Sequence, residues 1–274
     1  MRGERVRRRA FAALALAAAA PLAGLLGSCA PPVRPVPAVD DMAARYDESR
    51  VRREQALQAL TADLLVRVDG RATGRLPGLP ATLALAAPDR ARLRVGALFG
   101  TAVDVCAQGD SVIAWLPSER TALALAGARE SLGIAPPVGL LARSFGATWN
   151  PPREAWREAS PESAGLRLKW REGSDSLELL IDRDSRPARV RLAGESGSVS
   201  VRYSGWERVA GTEWPGQLEI GDGTGWARVR LGVDAVHVAE RADDGWFALR
   251  IPDGARRLDW DGLRDWLERR KGAR

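Results

Sequence analysis

The chain has 274 residues and a formal net charge of +6, with 28% of its residues charged. Five arginines and one glutamate within residues 1–28 carry most of that excess, so the remainder is close to neutral, with both signs mixed along it. That balance argues against nucleic acid as the partner, and one histidine with two cysteines excludes a histidine–cysteine metal cluster by count.

Arg2, Arg5, Arg7, Arg8 and Arg9 form a basic head, and an apolar run from Ala10 to Leu26 follows. A positive head, a short apolar stretch and small residues at a cut site predict a secretory signal over residues 1–28. Pro21 and several small residues make the run a poor spanning helix. Leu26-Gly27-Ser28-Cys29 resembles the lipobox of bacterial lipoproteins. The resemblance implies that Cys29 receives a diacylglyceryl thioether and, after cleavage, an N-acyl chain. Each buried methylene contributes roughly 0.8 kcal/mol, and two or more chains anchor stably.

Residues 29–40 read as the lipidated cysteine and a tether. Four prolines within residues 30–39 favour an extended spacer of about 3.1 Å per residue, so the domain stands roughly 30 Å from the bilayer at most. In enterobacterial lipoproteins an aspartate after the cysteine signals retention in the inner membrane; Ala30 stands there instead. The expected location is the outer membrane, lipid-anchored, with the domain in the periplasm. With Cys29 lipidated, Cys106 has no intramolecular disulfide partner and reads as a buried small apolar residue in a strand.

Residues 41–258 form the expected main domain. Asp40 and Asp41 suit a helix start, and good helix formers run from Met42 to Leu60, with Val51, Leu57 and Leu60 as a narrow apolar stripe. Beyond Leu60 the period changes to two. Leu64, Val66 and Val68 alternate with Leu65, Arg67 and Asp69; Ala91, Leu93 and Val95 with Arg90, Arg92 and Arg94; Val199, Val201 and Tyr203 with Ser198, Ser200 and Arg202. This predicts about ten or eleven antiparallel strands with one face buried and one wet. Pro88-Asp89, Gly109-Asp110, Asp184-Ser185 and Asp222-Gly223 punctuate them as turns. A short apolar helix opened by proline is expected at Pro136–Phe145, lying against the sheet. A C-terminal helix is expected within 259–274, with Leu263, Trp266 and Leu267 as its apolar face. A large sheet with one apolar face must curl and be covered in water. The expected fold is therefore mainly β with helices (α+β), a curled antiparallel sheet forming an incomplete β-barrel plugged by helices.

The runs ALQALTADLLVRVDGRA, APDRARLRVGALFGTAVDVCAQGDSVIAWLPSE and VRYSGWERVAGTEWPGQLEI resemble the bacterial lipoprotein carrier and acceptor group of LolA/LolB-like fold and its lipoprotein relatives. The resemblance spans about Leu57 to Gly254. It implies a half-barrel with a helical lid around an apolar cavity that takes the acyl chains of lipoproteins. Candidate cavity residues are Leu64, Val66, Val68, Leu93, Val95, Val103, Val105, Leu140, Leu141 and Phe145. In the acceptor-type members a turn resembling Pro-Leu-Gly carries an exposed apolar tip that promotes transfer into the membrane. Phe99 falls where that leucine stands, beside Leu98, though the proline is absent here. A loop folded back on the core is the plainer reading of Leu98 and Phe99.

No catalytic motif is present. His237, the single histidine, lies in a strand, nothing resembles Gly-x-Ser-x-Gly, and no phosphate loop occurs. The carboxylates fall mostly in turns or on wet strand faces, and a glycosidase pair is left open by counting alone. No enzyme activity and no cofactor are expected. The ten tryptophans read first as core filling, with Trp226, Arg228 and Arg230 on the wet face as an alternative sugar-stacking platform. Two functional readings follow. The first is a membrane-tethered lipoprotein whose half-barrel binds an acyl chain or lipoprotein lipid moiety, in outer-membrane lipoprotein localisation. The second is a passive envelope lipoprotein acting as an interaction module for cell wall or another protein.

Overall fold

The computed structural model describes residues 38–70, 74–126, 137–194, 197–222, 227–263 and 265. The signal segment, Cys29, the spacer before Ala38, Trp226, Trp266 and Leu267 lie outside the described residues. Helix α1 (Val39–Ala56) leads into strands β1 (Leu60–Gly70), β2 (Gly74–Arg75), β3 (Leu79–Ala86), β4 (Arg90–Ala97), β5 (Gly100–Gln108), β6 (Ser111–Leu116) and β7 (Thr121–Leu125). Helices α2 (Pro137–Gly146) and α3 (Arg153–Arg157) follow. Then come β8 (Ser160–Glu162), β9 (Gly165–Glu172), β10 (Asp175–Asp182), β11 (Pro187–Gly194), β12 (Gly197–Val209), β13 (Thr212–Asp222), β14 (Ala227–Val238) and β15 (Arg256–Leu258).

The strands form one sheet in the order β15-β7-β6-β5-β4-β3-β1-β14-β13-β12-β11-β10-β9-β8, with β2 paired to β1. The protein is mostly β with few helices, and the sheet is open rather than a closed barrel. Most of the excess over ten or eleven strands comes from pieces of two or three residues, β2, β8 and β15, too short to show a period. All pairings are antiparallel except β15 with β7.

Alternation puts one apolar row after another on a single face. Leu179, Val190, Val201, Ile220, Val229 and Val68 face one another strand by strand from β10 to β1. Two apolar clusters cover this face. One gathers β1, β3, β4 and β12–β14 under α2; the other gathers β9–β11 under the start of α1 and Trp149.

Helix α1 departs from the expected stripe. It buries Met42, Tyr46, Arg50 and Arg53, while Val51 is exposed and Leu57 and Leu60 lie beyond its C-terminus. Val51 is one residue from Arg50, about 100° round the helix, so it points off the buried line. Helix α2 matches the expected segment and buries Val138, Ala142 and Phe145, a spacing that keeps one face on the sheet. Its end meets Leu57 closely. A Cβ on Gly146 would stand 2.6 Å from Leu57 Cδ1, so a larger residue there would have to displace the Leu57 side chain.

Candidate functional site

The residues expected to line a cavity all lie on the inner face or on α2. Register places Leu64, Val95 and Val103 in one row with Ala81, and Leu93 and Val105 in the next row with Leu83. Leu64, Val66, Val95 and Phe145 are buried in the first cluster, and Val68, Leu93, Val103 and Leu141 pack on it half-buried. Val105 is half-buried opposite Leu93. Leu140 separates from the others and packs with the β9–β11 cluster. The half-buried members, Val68 near the end of β1, Leu93 and Val103 midway along β4 and β5, and Leu141 on α2, mark where apolar surface is covered only in part.

A polar cluster that sequence reasoning missed ties α2 to the rest. Arg53 on α1 has no exposure, yet no carboxylate among the described residues pairs with it. Its Nη1 donates to Ser49 Oγ (2.7 Å), its Nη2 to the Ala147 carbonyl (3.3 Å), and its Nε has no partner. The guanidinium lies 5.3 Å from the Trp206 ring centre, so the indole face supplies part of the missing negative potential. Burial pulls the Arg53 guanidinium below its ordinary value. Next to it the Tyr46 hydroxyl donates to the Trp149 carbonyl, and Trp149 Nε1 donates to Tyr203 Oη at 2.8 Å. Burial pushes both tyrosines up, so both stay neutral hydroxyls. Arg143 on α2 reaches Glu172 on β9 at 3.0 Å and lies over Trp149 at 5.3 Å. Together these contacts pin the chain where it leaves α2. The only sequence trace of the cluster is the spacing of Tyr46, Arg50 and Arg53.

Leu98 and Phe99 form the two-residue turn between β4 and β5, where Ala97 pairs with Gly100. They are 93% and 99% exposed, so the turn is not folded back on the core. Gly100 at φ +99° supplies backbone that other residues reach at a cost.

On the opposite face of β4 and β5, a 3-10 turn at Asp244–Phe247 lies over the strands. Arg92 grips Asp104 through two hydrogen bonds (2.8 and 2.7 Å) and donates to the Trp246 carbonyl. The Cys106 thiol donates to the Phe247 carbonyl at 3.3 Å, and burial pushes its pKa up, which keeps it a thiol. Cys106 is thus half-buried under this turn on the outer face, not in the core. His237 is exposed, 3.7 Å from Asp63. The eight described tryptophans are all buried or half-buried.

No family model matches the chain, and no curated protein matches it in sequence. Its fold is LolA-like. A LolA superfamily protein from Nitrosomonas europaea aligns over 74% of this chain and 97% of its own, with a TM-score of 0.50 and 13% identity. A DUF1329 family protein from Desulfovibrio piger aligns over 76% of this chain and 97% of its own, with a TM-score of 0.48 and 9% identity. The fold assignment rests on the first.

Proposed function

We propose that the protein binds an acyl chain, from a lipid or from the lipid moiety of a lipoprotein, between α2 and the apolar face of the sheet. It does so as a lipoprotein anchored through Cys29 to the outer membrane, with its domain in the periplasm. The reaction is binding by apolar burial alone, with no bond made or broken. The observation that carries the reading is the half-buried margin of Val68, Leu93, Val103 and Leu141 around an otherwise buried apolar face.

Leu64, Val66, Val95 and Phe145 are already covered by the protein's own side chains. A chain reaching them must lift α2. Exposing Val138 and Phe145 costs about 1.5–3 kcal/mol each, whereas full burial of a sixteen-carbon chain contributes on the order of 10 kcal/mol before ordering costs. The exchange is favourable only if the contacts at Ala147 and Trp149 hold α2 as a hinge rather than as a fixed wall. Leu98 and Phe99 sit at a site suited to touching the membrane during delivery.

The same covered packing favours a second reading, a passive module that contacts cell wall or another protein and holds no lipid. Palmitate titration of the purified chain, followed by tryptophan fluorescence, separates the two. Saturable quenching or enhancement supports the carrier. No response at any concentration supports the module.

A further inference from the structure

One transverse row on the outer face of the sheet, opposite the apolar surface, is strongly basic. Reading across β11, β12, β13, β14 and β1, the paired residues are Arg189, Arg202, Glu219, Arg230 and Arg67. Arg189 faces Arg202, and Arg230 faces Arg67, so like charges lie directly opposite twice in one row, an arrangement that destabilises a sheet. Glu219 is the only acid in that row. It serves Arg230 at 2.9 Å, Arg228 at 3.4 Å and Arg202 at 3.6 Å. Arg67 has no ion-pair partner among the described residues. Arg189 is paired outside the row with Glu178 at 3.1 Å, so Glu219 alone faces Arg67, Arg202 and Arg230, and the Arg67–Arg230 pair is left only partly balanced.

Along this row the face opens into a notch of about 340 Å³, lined by three arginines, Arg67, Arg202 and Arg230, and one acid, Glu219, with Ser204, Gln217 and Gly232 among the other lining residues. Gly232 keeps part of the notch open; a Cβ there would meet nothing nearer than 3.8 Å. At ~30 Å³ per water molecule the notch has room for a phosphate ester in place of water. Arginine forks match phosphate oxygens in pairs and remain charged at every relevant pH. Ser204 and Gln217 add neutral donors at the same place.

We propose that this notch is a binding site for a phosphate ester, held by Arg67, Arg202 and Arg230. It is separate from the acyl-binding face and does not depend on it. The ligand chemistry has two sources, the headgroup of an anionic phospholipid and a soluble phosphate ester. A bound phosphate relieves the Arg67–Arg230 pair, for which Glu219 is the sole counter-charge in the row.

The test uses the purified full chain with three probes: inorganic phosphate, glycerol 3-phosphate, and phosphatidylglycerol vesicles compared with phosphatidylcholine vesicles. The N-terminal segment is common to all variants, so differences between variants report on the notch. Glycerol 3-phosphate at constant ionic strength is expected to raise the melting temperature saturably. Arg67→Gln breaks no ion pair and should weaken that response about tenfold. Gly232→Leu fills the notch with every charge in place and should weaken it as much. Preference for phosphatidylglycerol vesicles that both substitutions abolish identifies a lipid headgroup. A response to the soluble esters alone, with vesicle association equal in all variants, identifies a soluble ligand. Absence of a saturable response to all three probes overturns the site. So does an Arg67→Gln chain that responds like the parent; this variant decides the matter if Gly232→Leu does not fold.

Discussion

Arg53 Nη2 donates to the Ala147 carbonyl at 3.3 Å, so a fully buried guanidinium on α1 holds the residue just past the end of α2. An unpaired buried cation carries a desolvation cost of several kcal/mol. Replacing it by an apolar side chain of similar size is therefore expected to leave stability unchanged or higher. Arg53→Met should melt at or above the parent temperature, while the amides of Pro137–Gly146 exchange faster, because their tie to α1 is gone. Arg53→Ala also leaves a void and should cost about 2–4 kcal/mol. Unaltered exchange in α2 of the Met variant removes Arg53 from the hinge.

The β4–β5 turn offers a separation of stability from membrane contact. Leu98 and Phe99 are 93% and 99% exposed, and surface changes of this kind usually fall within about 0.5 kcal/mol. Changing both to Ser should leave the melting temperature nearly intact and reduce liposome association relative to the parent. Each side chain contributes about 1.5–3 kcal/mol on full burial, enough to orient a tethered domain and too little to anchor it. Equal liposome association in the double variant counts against the membrane-contact role.

Asp104 supplies a pH dependence. Burial favours its protonated form, but hydrogen bonds from Arg92 and Arg94 outweigh this and hold the carboxyl below its usual range. A depressed carboxyl contributes stability that is present above its unfolded value of about 3.9 and lost as pH falls through the folded value. The contribution is thus full at neutral pH and fades below about pH 4. Asp104→Asn should cost about 3–5 kcal/mol at neutral pH, since it leaves Arg92 buried without its partner. Urea melts of both chains at neutral and acid pH should converge on the acid side. A constant difference between them would argue that Asp104 is protonated throughout.

The half-buried margin predicts a loss of affinity without a loss of fold. Leu93→Gln or Val103→Gln places an amide where an acyl chain would lie, and an unpaired buried amide costs about 1–3 kcal/mol. Palmitate affinity should fall roughly five- to hundredfold, read by fluorescence titration. Affinity equal to the parent in both variants moves the ligand off this margin.

The alternation of Leu64, Val66 and Val68 with Leu65, Arg67 and Asp69 made the strands legible, because a period of two states which face is wet. The short apolar helix at Pro137–Gly146 was legible for the same reason, having no other way to cover Val138 and Phe145. Two things were not. The basic row depends on strand register, which between β1 and β14 shifts between Asp63 and Leu64, and such an irregularity leaves no mark in the residue pattern. The Arg53 cluster joins groups 94 to 103 residues apart, and a buried arginine without a carboxylate violates the expectation that places arginines outside. The stripe of α1 was misread because Val51 looked apolar enough to face inward, whereas Tyr46 and Arg53 bury more surface.

The central claim is that the apolar face under α2 accepts an acyl chain, and native mass spectrometry of the full chain isolated from bacterial cells tests it most directly. The account predicts a population heavier by one non-covalently held lipid or fatty acid than the protein itself, displaced by added palmitate and reduced in Leu93→Gln. A single mass for the protein, unaltered by excess palmitate, would contradict it.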